Sequence, residues 1–296
     1  MSIWHGISPH WALNEKRPAT SGGVLHRRQV FHWIAAASDR ANVLSGKLTP
    51  AVREEYLQFL RGSLSDGLWL KSPRDPEVLG LREYSVKLER PIACFTEWSL
   101  EDSAHHTRSY GRLGLGFPKS WLLQCGGQPV TYFDQSRRGA FLKSALRLLR
   151  DLKGHPHLRE ELLFLLHFAK RIQRPKPPPK PTSPKPPRPK ERPDAPRSRD
   201  PYTRFWSKTM PYLEEREWRI VVGEGAPSRL GLRPGPPGGD PDYFLPYIPG
   251  KELFTLVLPD NETVSRVLQD DDLRSRLFPA NAPHVTVLSL QDVGTF

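Results

Sequence analysis

The part of the sequence that decides the fold is residues 91–133, PIACFTEWSLEDSAHHTRSYGRLGLGFPKSWLLQCGGQPVTYF. Its composition is typical of strands at three places, residues 92–96, 113–117 and 129–133. The first of these runs is apolar enough to be covered on both faces of a sheet. Between the last two runs, Gly126-Gly127 predicts a tight turn. The stretch also holds a His pair and a Tyr-Gly step, a mixture that predicts a sheet edge carrying a site.

Helix and strand patterns outside this stretch interleave without a regular βαβ period. Helices are predicted over residues 24–40, 50–64, 142–152, 158–172 and 261–278, with Asn261 capping the last. Thr49-Pro50 is the clearest helix start, an N-cap residue followed by proline. Strands are predicted over residues 68–70, 84–88, 217–222, 254–258 and 285–290, and a Pro/Gly loop over residues 223–242. The sequence therefore predicts an α+β fold with a mixed, mainly antiparallel sheet flanked by helices.

A basic proline-rich tract interrupts this pattern. Residues 171–201 contain 12 of the 32 prolines, a density that favours an extended chain over helix or sheet. We expect 171–201 to be a disordered linker or insertion, and residues 1–170 and 202–296 to form one α+β domain together. The tract is interpreted as a solvated spacer, with docking on an SH3-like groove as the alternative.

Charge and cysteine content limit the classes of function. The net charge is +12, but residues 170–200 hold 11 Lys or Arg against three acids, so most of the excess lies in the tract. This distribution predicts at most weak, non-specific nucleic-acid contact between Arg174 and Arg199. Two cysteines without a CxxC spacing predict neither a disulfide framework nor a zinc site. With no apolar signal core and no membrane span, we expect a cytoplasmic protein without a resident metal.

Three blocks of the sequence resemble the AbiGi family of abortive phage-infection proteins. The main block lies within residues 94–132, and its matching positions are Cys94-Phe95-Thr96-Glu97, His105 or His106, Tyr110-Gly111, Gly114, Gly116, Lys119, Trp121, Pro129-Val130 and Tyr132. The weaker blocks are residues 215–219, EREWR, and residues 57–69. The resemblance implies a phage-defence role, in which the protein acts as an antitoxin-like regulator or partner-binding module with a protein partner encoded nearby.

A fainter likeness is to ADP-ribosyltransferases of the His-Tyr-Glu type, which bind NAD. His5 or His10 resembles the ribose-binding His, Tyr110 the nicotinamide-stacking Tyr and Glu217 the catalytic Glu. Arg216 or Arg219 would then pair with the pyrophosphate. The likeness implies a transferase-like fold in which Glu217 lies within about 10 Å of His5 or His10, since one ribose must reach both groups.

Each of these residues also has a structural interpretation. Glu217 and Arg216 could form surface ion pairs around Trp218. Tyr110 could pack at the start of a strand, and His105-His106 could be loop residues. Lys119 and Trp121 are interpreted as structural residues, and Cys94 as a buried, inert thiol. Three functions therefore stay open: a defence regulator, an NAD-dependent ADP-ribosyltransferase effector, and a nucleic-acid-binding protein.

Overall fold

The computed structural model describes residues 29–42, 48–73, 77–81, 84–97, 107, 110–134, 140–172, 216–235, 242–281 and 283–292. The strands are β1 (Gln29–Ile34), β2 (Leu68–Leu70), β3 (Glu77–Leu81), β4 (Tyr84–Leu88), β5 (Ile92–Thr96), β6 (Leu113–Pro118), β7 (Gln128–Pro129), β8 (Thr131–Asp134), β9 (Ala169–Ile172), β10 (Glu217–Val221), β11 (Arg233–Pro234), β12 (Tyr243–Leu245), β13 (Thr255–Leu258) and β14 (Thr286–Ser289). The helices are α1 (Ala37–Asn42), α2 (Pro50–Asp66), α3 (Lys119–Gln124), α4 (Ala140–Asp151), α5 (Pro156–Leu166), α6 (Ala226–Leu230), α7 (Asn261–Gln269) and α8 (Asp271–Leu277), and a 3₁₀ turn follows α4 at Leu152–Gly154.

A mixed sheet organises the described part of the chain. Its strand order is β14-β13-β6-β1-β5-β10-β7, and neighbouring strands are antiparallel except for the parallel pair β13–β14. Helices flank it, so the predicted α+β class with a mainly antiparallel sheet is confirmed. Strands from both sides of residues 171–201 pair in this sheet. The domain boundaries themselves stay a prediction.

Successive side chains of a strand point to opposite faces, and the two faces of this sheet differ in chemistry. The core face is apolar and packs against α2, α7 and α8; it includes Val30, Phe95, Leu115, Ile220 and Leu256. The opposite face, which we call the polar face, includes Trp33, Cys94, Thr96, Glu217 and Arg219. Small residues of β6 make room there, because a Cβ at Gly114 would lie 2.7 Å from the Trp33 ring.

A second apolar cluster lies around α4 and α5. It joins the hairpin β3–β4 and the parallel pair β8–β9 through Val86, Leu88, Phe133, Leu142, Leu146, Leu149 and Leu166. Phe133 on β8 contacts Phe141 on α4, with ring centroids 5.1 Å apart. None of the helices in the described ranges has both the length and the apolar character needed to cross a membrane.

Local sequence signals account for α2. The Thr49 hydroxyl accepts a hydrogen bond from the Val52 N–H at 3.3 Å, and Pro50 occupies the first turn, as predicted. Val52, Tyr56, Leu57 and Leu60 form its buried side. Gly67 ends the helix at φ 102°, where its N–H binds the Ser63 carbonyl.

The prediction of a helix over residues 24–40 is wrong in the described residues. Gln29–Ile34 form β1, between β5 and β6, and a helix occupies only Ala37–Asn42. Val30 is buried on the core face of the sheet, and Phe31 and Trp33 are buried on the opposite face. The strand therefore does not alternate between apolar and polar residues. Its apolar residues consequently also match helical spacing.

Other boundaries also differ from the predictions. The helix expected over residues 158–172 ends at Leu166 and is followed by β9, and the strand expected over residues 129–133 divides at Val130. The helix expected over residues 261–278 breaks at Asp270, whose carboxylate caps α8 by accepting the Leu273 N–H. Asp260, not Asn261, caps α7. The loop expected over residues 223–242 contains α6 and β11.

Candidate functional site

Glu217 begins β10 and lies buried on the polar face, with 6 % of its surface exposed. Lys170 Nζ of β9 donates to its Oε2 at 2.6 Å, and Arg219 Nε of β10 donates to its Oε1 at 2.7 Å. Both carboxylate oxygens are therefore held by cations. Arg219 is itself buried, so this is a desolvated ion-pair cluster and not the surface pairing that the sequence interpretation allowed.

The charge state of Glu217 follows from this geometry. Burial alone would raise its pKa, but the charges of Arg219 and Lys170 outweigh burial and hold the pKa below its ordinary value. Glu217 is therefore ionised at neutral pH and acts as the counter-ion that joins β10 to β9. To bind a ribose hydroxyl, it would have to exchange one of these charged partners.

Arg219 extends the cluster to the end of α5. Its Nη1 donates to the His167 carbonyl at 2.5 Å. The His167 ring is buried, and burial lowers its pKa to about 4. Its Nε2 accepts the Arg90 N–H at 3.2 Å and its Nδ1 lies 2.8 Å from the Leu163 carbonyl, which assigns the proton to Nδ1. His167 is thus a neutral side chain that links elements of the fold.

Cys94 lies beside Arg219 on the polar face and reaches solvent. Partial loss of hydration, with the charge of Glu217 adding to it, raises the pKa of the thiol to about 12. A thiol with this pKa is protonated at neutral pH and is a weak nucleophile. The predicted burial of Cys94 is wrong, because the residue is exposed, whereas the interpretation of its thiol as inert agrees with the raised pKa.

A second carboxylate–lysine cluster lies at the end of β5, next to Trp218. Lys119 Nζ forms an ion pair with Glu97 Oε1, and Trp218 Nε1 donates to Glu97 Oε2 at 3.0 Å. Lys119 Nζ also lies 5.9 Å from the centroid of the Trp218 ring. The Lys119 and Glu97 side chains are 28 % and 23 % exposed, so this cluster borders solvent.

The Glu97–Lys119–Trp218 cluster brings together residues from two of the three sequence blocks that resemble AbiGi. Glu97 and Lys119 come from the main block and Trp218 from EREWR. Sequence reasoning did not pair them, because more than twenty residues separate Glu97 from Lys119 and β10 lies far along the chain. The one sequence signal that these three residues lie together was that all of them belong to blocks resembling AbiGi.

Arg216, a predicted cofactor ligand, precedes β10 and is exposed. Its φ of 39° is unusual for a residue other than glycine, and its carbonyl accepts the Glu97 N–H at 3.3 Å. Neighbouring residues of EREWR therefore have different environments. Arg216 lies at the surface, whereas Glu217 and Arg219 belong to the buried cluster. Arg219 would have to leave its present partners to hold a pyrophosphate.

Tyr110 lies away from Glu217. It precedes β6, which is three strand spacings from β10, about 14 Å. The Tyr110 side chain is 38 % exposed. The following Gly111 has φ 108°, and a Cβ there would lie 2.1 Å from the Ile34 carbonyl oxygen, so the Tyr-Gly step has a structural reason.

A buried polar group lies just after this step. Tyr56 donates to Asp39 Oδ2 at 2.6 Å and accepts the Arg112 N–H at 3.1 Å. Arg112 Nε lies 3.3 Å from the same carboxylate oxygen. All three residues are buried, and they tie α1 and α2 to the chain entering β6. The Tyr-Gly region thus serves as an anchor for the sheet.

The histidine predictions have different outcomes. His5 and His10 lie outside the described residues, as do His105 and His106, so their proposed roles stay predictions. On β1 the structure places His32, which sequence reasoning had assigned to a helix. Its register partner is Leu115 on the core face, opposite the face of Glu217. Its Nδ1 lies 2.8 Å from the Cys94 carbonyl, and burial lowers its pKa.

Within the described ranges, no group of three or more His, Cys, Asp or Glu could hold a metal ion. NAD as a cofactor stays a prediction, because its proposed ligands include residues outside those ranges. The two described carboxylate clusters hold strands together. Glu217, bound by Lys170 and Arg219, links β10 to β9. Glu97, bound by Lys119 and by the Trp218 indole N–H, links the end of β5 to β10.

Residues 82–173 match the family described as "Putative abortive phage resistance protein AbiGi, antitoxin". Comparison with curated proteins and with solved structures found no match. The matched segment contains β5, β6, Glu97, Lys119 and Lys170. The resemblance predicted from the main sequence block is therefore confirmed over these residues, and it supports a role in phage defence; the likeness to ADP-ribosyltransferases gains no support from the comparisons.

Proposed function

We propose that the protein is an antitoxin-like regulator in abortive phage infection that acts in the cytoplasm by binding a protein partner. The match of residues 82–173 to AbiGi, a family described as an antitoxin, carries this proposal. An antitoxin controls another protein, so binding is the activity that the family description favours.

The chemistry of the described clusters supports binding over catalysis. Glu217 is ionised and fixed by two cations, the Cys94 thiol has a raised pKa, and His167 has a lowered pKa with both ring nitrogens engaged. Glu217 and His167 therefore hold elements of the fold together, and the Cys94 thiol is protonated at neutral pH. An NAD-dependent transferase would instead need a Glu available to the ribose.

The test is to express the chain in a bacterial host together with the product of each adjoining gene. We expect one of these products to arrest growth, the chain to relieve that arrest, and the gene pair to reduce phage plating. Replacing Tyr110 by Ala should leave the relief intact, because a regulator does not need this ring to stack on nicotinamide.

Radiolabelled NAD provides the opposing test. A regulator should transfer no label to itself or to host protein and nucleic acid. Transfer that is lost in Tyr110→Ala, or growth arrest caused by the chain alone, would overturn the regulator proposal in favour of the transferase. Nucleic-acid contact between Arg174 and Arg199 stays a separate prediction.

A further inference from the structure

The three-stranded sheet β11-β12-β2 presents two aromatic rings on its outer face. Trp69 of β2 and Phe244 of β12 are register partners, so their side chains lie side by side on the same face. Their ring centroids are 6.1 Å apart, with an angle of 32° between the ring planes. Trp69 is 39 % exposed, whereas Leu68 and Leu70 on either side of it are buried in the core. The inner face therefore anchors this sheet, and the ring pair borders solvent.

Two cations lie on the same face as the rings. Arg233 of β11 is the register partner of Phe244, which places it in line with Trp69 across the three strands. Lys71 follows Trp69 by two residues, and its Nζ lies 4.2 Å from the centroid of the Trp69 ring. Within the described part of the chain, neither cation forms an ion pair with a carboxylate. We call Trp69, Phe244, Lys71 and Arg233 the aromatic platform.

Hydrogen bonds hold the aromatic platform in place. Arg233 Nη2 donates to two backbone carbonyls at the end of α2, so the guanidinium is fixed at one of its nitrogens. The carboxylate of Asp242 contacts the platform, accepting the Trp69 Nε1–H at 3.1 Å through Oδ2 and the Ser72 N–H at 2.8 Å through Oδ1. Asp242 therefore orients the Trp69 ring, and the two cations exceed this single carboxylate by one charge.

We propose that the aromatic platform binds single-stranded nucleic acid. One base would stack on Trp69 and the next on Phe244, and the phosphates would contact Lys71 and Arg233. In a duplex the bases are stacked on each other, so the rings would select single strands. This function goes beyond the partner binding proposed above and does not rest on it.

Proline-rich peptides also dock on aromatic surfaces, and residues 171–201 of this chain are proline-rich. The charges disfavour this occupant. Residues 170–200 hold 11 Lys or Arg against three acids, so the tract would bring positive charge to Lys71 and Arg233. Phosphates bring the opposite charge, and bases supply flat rings. Both features of the platform therefore favour nucleic acid.

The first experiment separates base stacking from charge. Fluorescence anisotropy measures binding of the full chain to labelled oligo(dT) of about 12 nucleotides, to an abasic deoxyribose-phosphate chain of the same length, and to a duplex. We expect oligo(dT) to bind about tenfold more tightly than the abasic chain, because the two have the same charge and differ in their bases. Contact through Arg174–Arg199 alone would give equal affinities. Oligo(U) and an abasic ribose-phosphate chain form the RNA arm, and a preference for bases with either sugar supports the proposal.

The second experiment tests the rings. Trp69→Ala should lower the affinity for oligo(dT) about tenfold, to that of the abasic chain, and Phe244→Leu, which keeps an apolar side chain, about fivefold. Phe141→Leu is the matched control, since Phe141 is 45 % exposed on α4, outside the platform, and it should leave the affinity unchanged. Lys71→Gln should weaken oligo(dT) and the abasic chain alike and reduce the dependence on salt. Circular dichroism checks that each variant is folded, and Phe244→Leu carries the test if Trp69→Ala does not fold.

Defined outcomes would overturn the proposal. These are equal affinity for the oligonucleotides and their abasic chains, no binding of any oligonucleotide, and a preference for bases that persists in folded Trp69→Ala and Phe244→Leu. Two further outcomes would assign the platform to another occupant. One is binding of a labelled peptide with the sequence of residues 174–190 that is lost in Trp69→Ala, and the other is a dimer in sedimentation that the same variant dissociates.

Discussion

Glu217 and Glu97 lie side by side at the end of the same strand pair, yet on opposite faces of the sheet. Each carboxylate is bound by a lysine from another element, Lys170 for Glu217 and Lys119 for Glu97. Glu217 is almost completely buried, whereas the Glu97 side chain is 23 % exposed. The pairs share their chemistry and differ in access to water.

That difference decides what each pair contributes. A buried carboxylate that loses its charge leaves its cations without compensation in a poorly hydrated place. A carboxylate that borders solvent can exchange its lysine for water at little cost. We therefore assign the Glu217 cluster to the framework of the fold, and the Glu97 cluster to the solvent-bordering end of β5.

The largest expected effect is that of Glu217→Gln. The change leaves Arg219 and Lys170 without their shared counter-ion, and we expect the free energy of unfolding to fall by about 3–5 kcal/mol in urea titration. Glu97→Gln is the matched control and should cost about 1 kcal/mol or less. Equal losses in the two variants would show that burial does not separate the clusters.

This expectation changes how a functional test of Glu217 must be interpreted. A loss of defence activity in Glu217→Gln would follow from unfolding as readily as from lost catalysis. Circular dichroism and the urea midpoint must therefore accompany any activity measurement on this variant. If Glu217→Gln lost defence activity but kept wild-type stability, that result would support a catalytic role for Glu217.

Acid unfolding provides the next test. The pKa of Glu217 is lowered in the folded protein, so its contribution is fully present above the unfolded-state pKa, about 4.3. The contribution is lost as pH falls toward the lower folded pKa. We expect the free energy of unfolding of the wild type to decline more steeply below about pH 4 than that of Glu217→Gln. Parallel curves for the two proteins would contradict the ion-pair assignment.

Trp218→Phe is expected to have a smaller effect. It removes the indole N–H that donates to Glu97 Oε2 and should cost about 1 kcal/mol. In the Glu97→Gln background the same change should cost less, since the charge-assisted bond is already weakened. A double-mutant cycle in urea measures this coupling, and full additivity would mean that the bond contributes nothing.

Parts of the fold could be predicted because local chemistry determines them. Thr49-Pro50 specified the start of α2, and the runs at Ile92–Thr96 and Glu217–Val221 are strands as expected. β1 could not be identified in the same way. Four of its six residues are apolar, and they point to both faces of the sheet, so the strand shows no period of two.

The candidate site was predictable only in part. EREWR directed attention to Glu217, but its partner Lys170 lies 47 residues earlier, beyond the proline-rich tract. Nothing local to either residue specifies that β9 passes beside β10. The sequence likewise could not distinguish a surface ion pair from a buried one, because burial depends on elements distant along the chain.

The smallest expected effect is that of Lys119→Met, and it tests the comparison most directly. Lys119 is partly exposed, so losing its ion pair with Glu97 should cost less than about 1 kcal/mol, and added salt should reduce this difference because it screens the wild-type pair. Lys170→Met, the matched change in the buried cluster, should cost more and respond less to salt, since Glu217 is shielded from solvent. Urea unfolding of both variants at low and high salt measures the two differences. If Lys119→Met were as costly as Lys170→Met, the exposed pair would be as essential to the fold as the buried one, and solvent access would not explain why the chain keeps two carboxylate–lysine clusters on one strand pair.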